Sequence, residues 1–304
     1  MIFLRESVDS LRFYVVKLQN SILHSLEDLD FAKRLSVTKS ENPVFAAFLI
    51  DLQQSSALIT QQPRPFGLHL DNDAWKVNMR LRLGLFPSEL LDNSVCCCVK
   101  RPKADFKHIV SCKKFLQFRS ILHNSVRDVT YEMFRCHGFN GKIEPLLKHY
   151  SDNDIFNCRR GDLIVPFTNS SQAVVDFTIV DPCAKVYLSS VFNDENSHLC
   201  QAEARKNQLY DEVMRNLNQN LYSSFVFIPF AISIFGSIGK IGQKFLDSFA
   251  KLCLERNRLF NISIWRNRII FALFRSFPKY LSQIFKKIYR SVRVDVENFS
   301  SYKF

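Results

Sequence analysis

The chain has little glycine, a shortage of acidic residues and no hydrophobic run long enough to cross a membrane. Glycine occupies 8 of 304 positions, whereas 29 are phenylalanine and 47% are hydrophobic. This composition excludes a linker or low-complexity protein and leaves ample material for a buried core. The longest apolar run, 225–235, is shorter than the about 20 residues that a transmembrane helix needs, so it predicts a buried strand and loop.

The first residues and the cysteines indicate an intracellular setting. Arg5, Glu6 and Asp9 interrupt the apolar start, so no hydrophobic region of a secretory signal is evident. The 9 cysteines are an odd number, and without a signal they are more typical of metal binding than of a disulfide framework. We therefore expect a nuclear or cytoplasmic protein.

Positive charge dominates the chain. It carries 41 Lys and Arg against 29 Asp and Glu, a formal net charge of +12 with a pI near 9.3. Such a balance does not specify a fold, but it favours polyanionic partners such as nucleic acid or an anionic membrane surface.

Hydrophobic periodicity and chain breakers suggest four regions. Residues 1–92 are predicted to be a helical linker region, 93–117 a zinc knuckle, 118–250 an α/β domain and 251–304 a basic helical tail. Within the α/β domain we expect a helix over 118–136, a strand pair over 160–182, a helix over 199–220 and a buried strand over 225–232. This order predicts an α/β sandwich with polar groups at the strand edges.

Two carboxylates sit on the predicted strand pair, and a lysine follows on the next helix. Asp162 opens one apolar run and Asp176 lies inside the other, so a short loop can bring them together. Paired carboxylates repel each other, and a hard divalent cation such as Mg²⁺ or Mn²⁺ relieves this. Lys206 and Tyr210 lie one helical turn apart; a lysine there could stabilise charge on a phosphate. The alternatives are aspartates that cap turns and a lysine that pairs with Glu203.

A cysteine-rich segment has the ligand spacing of a zinc site. Cys96, Cys98, His108 and Cys112 form the pattern C-x-C-x9-H-x3-C, which can complete a tetrahedral Zn²⁺ shell. Cys97 cannot point the same way as both neighbours and is expected outside the shell, although spacing does not rank Cys96 and Cys97 firmly. Basic residues around the cluster could grip phosphates, among them Lys100, Arg101, Lys113 and Lys114.

The last 54 residues carry most of the net charge. Residues 251–304 hold 12 Lys and Arg against 3 Asp and Glu, and 12 − 3 gives +9. The cations alternate with apolar residues, which predicts an amphipathic basic helix for nucleic acid or an anionic membrane surface. The carboxylates and the lysine upstream are groups suited to metal-dependent phosphodiester cleavage, which favours nucleic acid as the partner.

The order of short motifs carries a family resemblance over about residues 75–275. The motifs are Arg80-Leu81-Arg82-Leu83-Gly84, the Cys and His cluster, Arg119-x-x-x-His123-Asn124-x-x-x-Asp128, Glu144-Pro145, Arg160-Gly161-Asp162, Val175-Asp176-Phe177-Thr178, Glu203-x-x-Lys206-x-x-x-Tyr210, Phe227-x-Pro229 and Phe235-Gly236. In order and spacing they resemble the C-terminal part of non-LTR retrotransposon polyproteins with a restriction-enzyme-like endonuclease.

The resemblance implies a fold, an activity and roles for residues. It implies a PD-(D/E)XK core that nicks target DNA, so that the released 3′-hydroxyl primes reverse transcription of the element RNA. Asp162 and Asp176 match the metal-binding carboxylates, Lys206 the displaced lysine and Tyr210 the tyrosine after it. Glu144 matches the helix glutamate of the wider nuclease class. The resemblance also implies a zinc knuckle just upstream that helps grip nucleic acid.

Some features depart from the family or stay open. Gly161 stands where the family has Pro or Ala, and Thr178 stands two residues after Asp176 in place of a lysine. No polymerase active-site run occurs, so the polymerase is expected as a fused or separate partner. The sequence also allows a catalytically inactive nucleic-acid-binding remnant. Arg159 and Arg160 are candidate phosphate contacts, whereas His123 is expected to be a packed helix histidine.

Overall fold

The computed structural model describes about half of the chain. It covers residues 112–147, 160–168, 170–187, 197–219 and 224–292, with side chains to 288, and single positions at 46, 47, 74, 77, 78, 96, 98 and 108. In chain order the elements are a 3₁₀ helix (Lys113–Phe118), α1 (Arg119–Cys136), β1 (Lys142–Ile143), β2 (Leu163–Pro166), β3 (Ser171–Val180), α2 (Ser197–Gln219), β4 (Ser224–Ser233), α3 (Lys240–Glu255) and α4 (Ile262–Val292). The predicted helical region 1–92 lies almost wholly outside the described residues.

Four strands form one mixed sheet in the order β1-β2-β3-β4. The first three are antiparallel neighbours, and β4 runs parallel to β3 along its whole length. A parallel pair needs a crossover, and α2 provides it. Both long strands are rich in β-branched and aromatic residues, which suit a sheet buried on both faces.

Helices cover both faces of the sheet. Alternate residues of β3 face opposite sides, so Val174 packs with α2 whereas Val175 and Phe177 pack in the larger core. That core contains apolar side chains of α1, α3 and α4, and the face toward α2 is closed by Val213 and Leu217. The mixed α/β architecture expected from the sequence is confirmed.

A buried carboxylate from α2 fixes the start of α3. The first N–H groups of a helix have no partner within it, and Gly239, the capping residue, has no side chain to provide one. Glu203 Oε1 accepts hydrogen bonds from the N–H of Ile241 (3.1 Å) and of Gly242 (3.3 Å). A Cβ at position 239 would lie 2.2 Å from that oxygen, so the contact requires glycine.

The long helix α4 is part of the core and contains a proline. Pro278 has no N–H to donate to Phe274 four residues earlier. Asn78 Nδ2 donates to that carbonyl instead, at 2.9 Å. A side chain from outside the α/β unit therefore satisfies the acceptor that the proline leaves open.

The predicted boundary at 250/251 falls inside α3, and buried residues on both sides of it belong to one cluster. Among the helices of the described residues, none is long and apolar enough to cross a membrane.

Candidate active site and metal centre

Asp162 and Asp176 lie opposite each other on adjacent antiparallel strands. Leu163 pairs with Val175, and Asp162 N donates to Val175 O at 3.2 Å, so the same register places Asp162 across from Asp176. The side chain of Asp176 is 8% exposed and that of Asp162 is 21% exposed. The sheet thus brings the two predicted carboxylates together at the start of β2.

Two donors hold one oxygen of Asp162. Oδ2 accepts hydrogen bonds from Phe177 N–H (2.7 Å) and from His123 Nε2 (2.9 Å). The His123 ring comes from α1 and meets the Phe177 ring edge-on, and its Nδ1 lies 3.1 Å from Asn124 Oδ1. Among the described residues, Oδ1 of Asp162 meets no hydrogen-bond donor. The carboxylate is therefore oriented while one oxygen stays available.

Two side chains of α2 reach Asp176. Tyr210 donates its hydroxyl to Oδ1 (3.1 Å) and also contacts Arg160 O (3.2 Å), while its ring stacks on Phe227 at 4.3 Å. Lys206 Nζ lies 2.7 Å from Oδ2. Oδ2 nevertheless has no hydrogen-bond donor in the described part of the chain. The contact between Lys206 and Asp176 is therefore a short ion pair with a poor hydrogen-bond angle.

The electrostatics of this site reflect burial and two close carboxylates. Burial raises the pKa of Asp176; the positive charge of Lys206 opposes this, and the negative charge of Asp162 adds to it. For His123, burial alone would lower the pKa, but the hydrogen bond and charge of Asp162 outweigh it, and the net direction is upward. Both effects arise where negative charge is concentrated, which is where a cation binds best.

The carboxylate of Glu144 faces arginines rather than the aspartates. Arg127 Nη1 contacts Glu144 Oε1, and Arg160 Nη1 lies 3.8 Å from Oε2. The backbone still connects Glu144 to the site, since its N–H donates to Asp162 O at 3.0 Å. The Arg160 side chain is 60% exposed and accessible to a phosphate. Arg159 lies outside the described residues.

The four predicted zinc ligands come together. The thiols of Cys96 and Cys112 are 3.7 Å apart, Cys98 Sγ is 3.5 Å from His108 Nε2, and all four ligand atoms lie within 4.8 Å of one another. With Zn–S bonds of about 2.3 Å and a Zn–N bond of about 2.0 Å, tetrahedral geometry places two thiolates roughly 3.8 Å apart, and a thiolate and an imidazole nitrogen roughly 3.5 Å apart. The donor set therefore fits Zn²⁺.

The zinc-type cluster is built into the core. Cys96 and Cys112 are buried in the same cluster as Phe115 of the 3₁₀ helix, which begins directly after Cys112. Lys113 and Lys114 of that helix are exposed, as a phosphate contact requires. Cys97, Lys100 and Arg101 lie outside the described residues.

The carboxylate pair is a smaller donor set than the zinc-type cluster. Within the described residues, the Cys and His cluster is the only group of three or more His, Cys, Asp or Glu arranged to hold a metal. Two carboxylates suit Mg²⁺, which keeps several waters and binds through one or two protein carboxylates. The open oxygen of Asp162 fits such an ion, whereas at Oδ2 of Asp176 the ion would compete with the Lys206 ammonium.

His123 is the site residue that sequence reasoning undervalued. The sequence favoured a packed histidine, whereas the structure places Nε2 on Asp162. Arg127, which was not considered, contacts Glu144. The available signal was spacing, because Arg119, His123 and Arg127 are four residues apart on one face of α1. The pairing of Lys206 with Glu203 is not found, since Glu203 caps α3.

No protein-family model matches this chain, and no curated protein matches it.

Proposed function

We propose that this chain is a metal-dependent DNA endonuclease that nicks target DNA for reverse transcription of a non-LTR retrotransposon. The observation that carries the proposal is that Asp162 and Asp176 lie opposite each other in the register of the sheet while Lys206 Nζ lies 2.7 Å from Asp176 Oδ2. Two carboxylates beside a lysine are the groups needed for metal-assisted phosphodiester hydrolysis. The partners would be DNA, the element RNA and a polymerase, and the setting would be nuclear.

The order of elements agrees with the proposal. A helix, three antiparallel strands, a crossover helix and a parallel fourth strand form a mixed α/β unit, and the proposed PD-(D/E)XK core would be built on this unit. The lysine of that motif is replaced on β3 by Thr178, whose buried Oγ1 has no hydrogen-bond partner within the described residues. Lys206 compensates, because it approaches Asp176 from α2. Fold agreement alone would not establish activity.

Each residue of the site then has a chemical role. Asp162 and Asp176 would hold Mg²⁺ or Mn²⁺, which polarises the scissile phosphate and lowers the pKa of a bound water. Lys206 would stabilise negative charge that develops on the phosphate. His123 and Tyr210 would act as positioning residues, since each fixes one oxygen of one aspartate. Arg160 would contact a phosphate of the bound strand.

The zinc centre is proposed to be structural. All four positions of its tetrahedron are filled by protein ligands, so no site remains for water or substrate. Its place directly before the 3₁₀ helix would fix Lys113 and Lys114 against the body of the protein.

One observation favours a second candidate, an inactive nucleic-acid-binding remnant. Each aspartate already has a cationic or donor partner from the chain itself, Lys206 for Asp176 and His123 for Asp162. A site that is electrostatically satisfied in this way could persist without binding a catalytic ion.

Nicking of supercoiled plasmid by the zinc-loaded chain separates the two candidates. The endonuclease should nick with Mg²⁺ or Mn²⁺ and not without, and Asp176→Asn should lower the rate about 10³-fold, because a metal contributes several kcal/mol to the transition state. Asp211→Asn is the matched control, since Asp211 lies exposed on α2 and pairs with Arg215. Equal rates for Asp176→Asn and the wild type, or no nicking by either, would reject the endonuclease.

A further inference from the structure

The helix α4 has a strongly one-sided charge. Its 31 residues include seven Lys and Arg and no Asp or Glu. Its apolar residues, such as Ile269, Leu273, Phe277 and Ile284, are buried in the main core. The cations of α4 with described side chains lie outside this core.

Three of these cations lie in one line along the exposed side. Arg275, Lys279 and Lys286 are exposed. Spacings of four and seven residues place them within about 40° of one another around the helix and spread them over roughly 16 Å. We call these three residues the α4 stripe, because their charges form a row along the helix and are not scattered over its surface.

Acidic side chains form ion pairs with two arginines that precede the stripe, but not with the two lysines of the stripe. Arg268 Nη2 is 3.2 Å from Glu132 Oε1, and Arg266 Nη2 is 3.9 Å from Asp247 Oδ1. In contrast, no described carboxylate forms an ion pair with Lys279 or Lys286. Charge without an internal counterpart is what attracts a polyanion.

The lysines of the 3₁₀ helix extend the stripe. The helix α4 runs antiparallel to the 3₁₀ helix and α1, with Ser276 Oγ against Ser125 Oγ (2.9 Å) and Lys287 Nζ donating to Lys114 O (3.0 Å). Lys113 and Lys114 consequently stand beside the Lys286 end of the stripe. The zinc-type cluster, whose ligand Cys112 precedes Lys113, holds that end in place.

The same surface is poorly suited to membranes and to single strands. A helix that binds membranes needs an apolar face to insert, and that face of α4 is buried. Proteins that bind single strands stack bases on accessible aromatic rings. Among the residues with described side chains, every Phe, Tyr and Trp is buried or half-buried.

We propose that the α4 stripe together with Lys113 and Lys114 is a binding surface for the phosphate backbone of duplex DNA. The choice of DNA rests on the proposed function, whereas the row of charges is observed in the structure independently of that function. The surface would hold the target duplex without reading its sequence, because phosphate contacts position a duplex but do not specify it.

The test is the salt dependence of binding to a 30-base-pair DNA duplex, with zinc-loaded protein and no added Mg²⁺ or Mn²⁺. Lys279→Gln/Lys286→Gln should weaken binding at least tenfold at low salt and reduce the slope of log K against log salt by about 1.8, or 0.9 for each lost phosphate contact. Lys113→Gln/Lys114→Gln should act in the same direction.

The control is Lys244→Gln/Lys251→Gln, which removes the same charge at the same seven-residue spacing from the exposed side of α3. It should change affinity less than twofold. Equal losses for both pairs would mean a general charge effect, and no loss for either would leave the stripe without a role; both overturn the proposal.

Three further arms complete the test. If Lys279→Gln/Lys286→Gln weakens binding to duplex RNA but not to duplex DNA, the surface binds RNA. If the stripe is needed for binding to anionic vesicles, the surface binds membranes. Either result contradicts the proposal. Plasmid nicking is measured separately. Nicking that needs Asp176 but not the stripe would reject this surface alone, whereas stripe-dependent binding without any nicking would reject the endonuclease alone.

Discussion

The zinc-type cluster and the carboxylate site are assembled in different ways. The four zinc ligands lie within a short segment from Cys96 to Cys112, 16 positions apart, and their ligand atoms come within 4.8 Å of one another. The carboxylate site draws on α1, β2, β3 and α2, and its two aspartates meet only because the sheet register places them opposite each other.

The two sites should therefore respond differently to the loss of a single residue. A compact ligand set depends on a few local residues, so losing one ligand removes the whole centre. A site assembled from distant elements depends on surrounding residues that orient each group, so its losses are graded. Substitutions at the two sites distinguish these two responses.

Loss of one zinc ligand should have the largest effect. Cys112→Ser should abolish zinc binding and lower the free energy of unfolding by more than about 4 kcal/mol, because loss of a structural metal is among the few changes with so large an effect. Zinc content and denaturant unfolding measure this. Cys136→Ser is the control, since Cys136 is exposed and outside the cluster. Zinc retention by Cys112→Ser would contradict the assigned ligand set.

Removal of the lysine should reduce the rate without increasing the metal requirement. Lys206→Ala should lower the maximal nicking rate by about 10²- to 10³-fold, as loss of one stabilising charge or donor does at other sites. The Mg²⁺ concentration for half-maximal activity should not rise, because Asp176 loses a competing cation at Oδ2. Arg205→Ala, on the adjacent and exposed position of α2, should nick like the wild type.

Removal of His123 should have the opposite effect, because it should raise the Mg²⁺ requirement and change the maximal rate little. His123→Ala should raise the Mg²⁺ requirement by about 10- to 100-fold, the usual effect of losing a group that orients a metal ligand, while the rate at saturating Mg²⁺ largely recovers. His123→Gln should rescue, since its amide nitrogen can replace Nε2 as donor to Asp162. Equal defects in both variants at an unchanged Mg²⁺ requirement would indicate a purely structural role.

Glu203 should make stability depend modestly on pH, away from both centres. Burial raises the pKa of Glu203 from 4.5 to about 7, although the N–H groups of Gly242 and Ile241 and the charge of Lys240 oppose the shift. The folded state then holds this proton more tightly than the unfolded state, so the group's contribution to stability falls as pH rises from about 4.5 to about 7.

The variant Glu203→Gln isolates that contribution. It cannot titrate, so its stability relative to the wild type should improve between pH 5 and pH 8, as measured by denaturant unfolding at both values. A difference between the two proteins that does not change with pH would show that Glu203 does not titrate in this range.

The sequence predicted the parts of this molecule that depend on local pattern. Apolar periodicity located α1, α2, β3 and β4 within a few residues, and spacing indicated the zinc-type ligands, although it did not rank Cys96 against Cys97. It could not reveal that Asn78 compensates for Pro278 or that Glu203 caps α3. These contacts join residues 196 and 39 positions apart, and no periodicity encodes them.

The sequence also could not reveal how the side chains of the carboxylate site are oriented. The pattern suggested that Asp162 and Asp176 could meet, but which oxygen of each is occupied depends on His123, Tyr210 and the backbone of Phe177. Glu144 was a candidate ligand by resemblance, yet its carboxylate contacts Arg127 of α1.

Counting bound Mn²⁺ reveals whether a cation binds between Asp162 and Asp176, because this measurement does not depend on activity. Electron paramagnetic resonance of zinc-loaded wild-type protein titrated with Mn²⁺ should detect a bound ion that Asp162→Asn/Asp176→Asn loses, while Asp211→Asn retains it and zinc content stays constant in all three. Equal Mn²⁺ binding by the wild type and the double variant would contradict a cation site between the two aspartates.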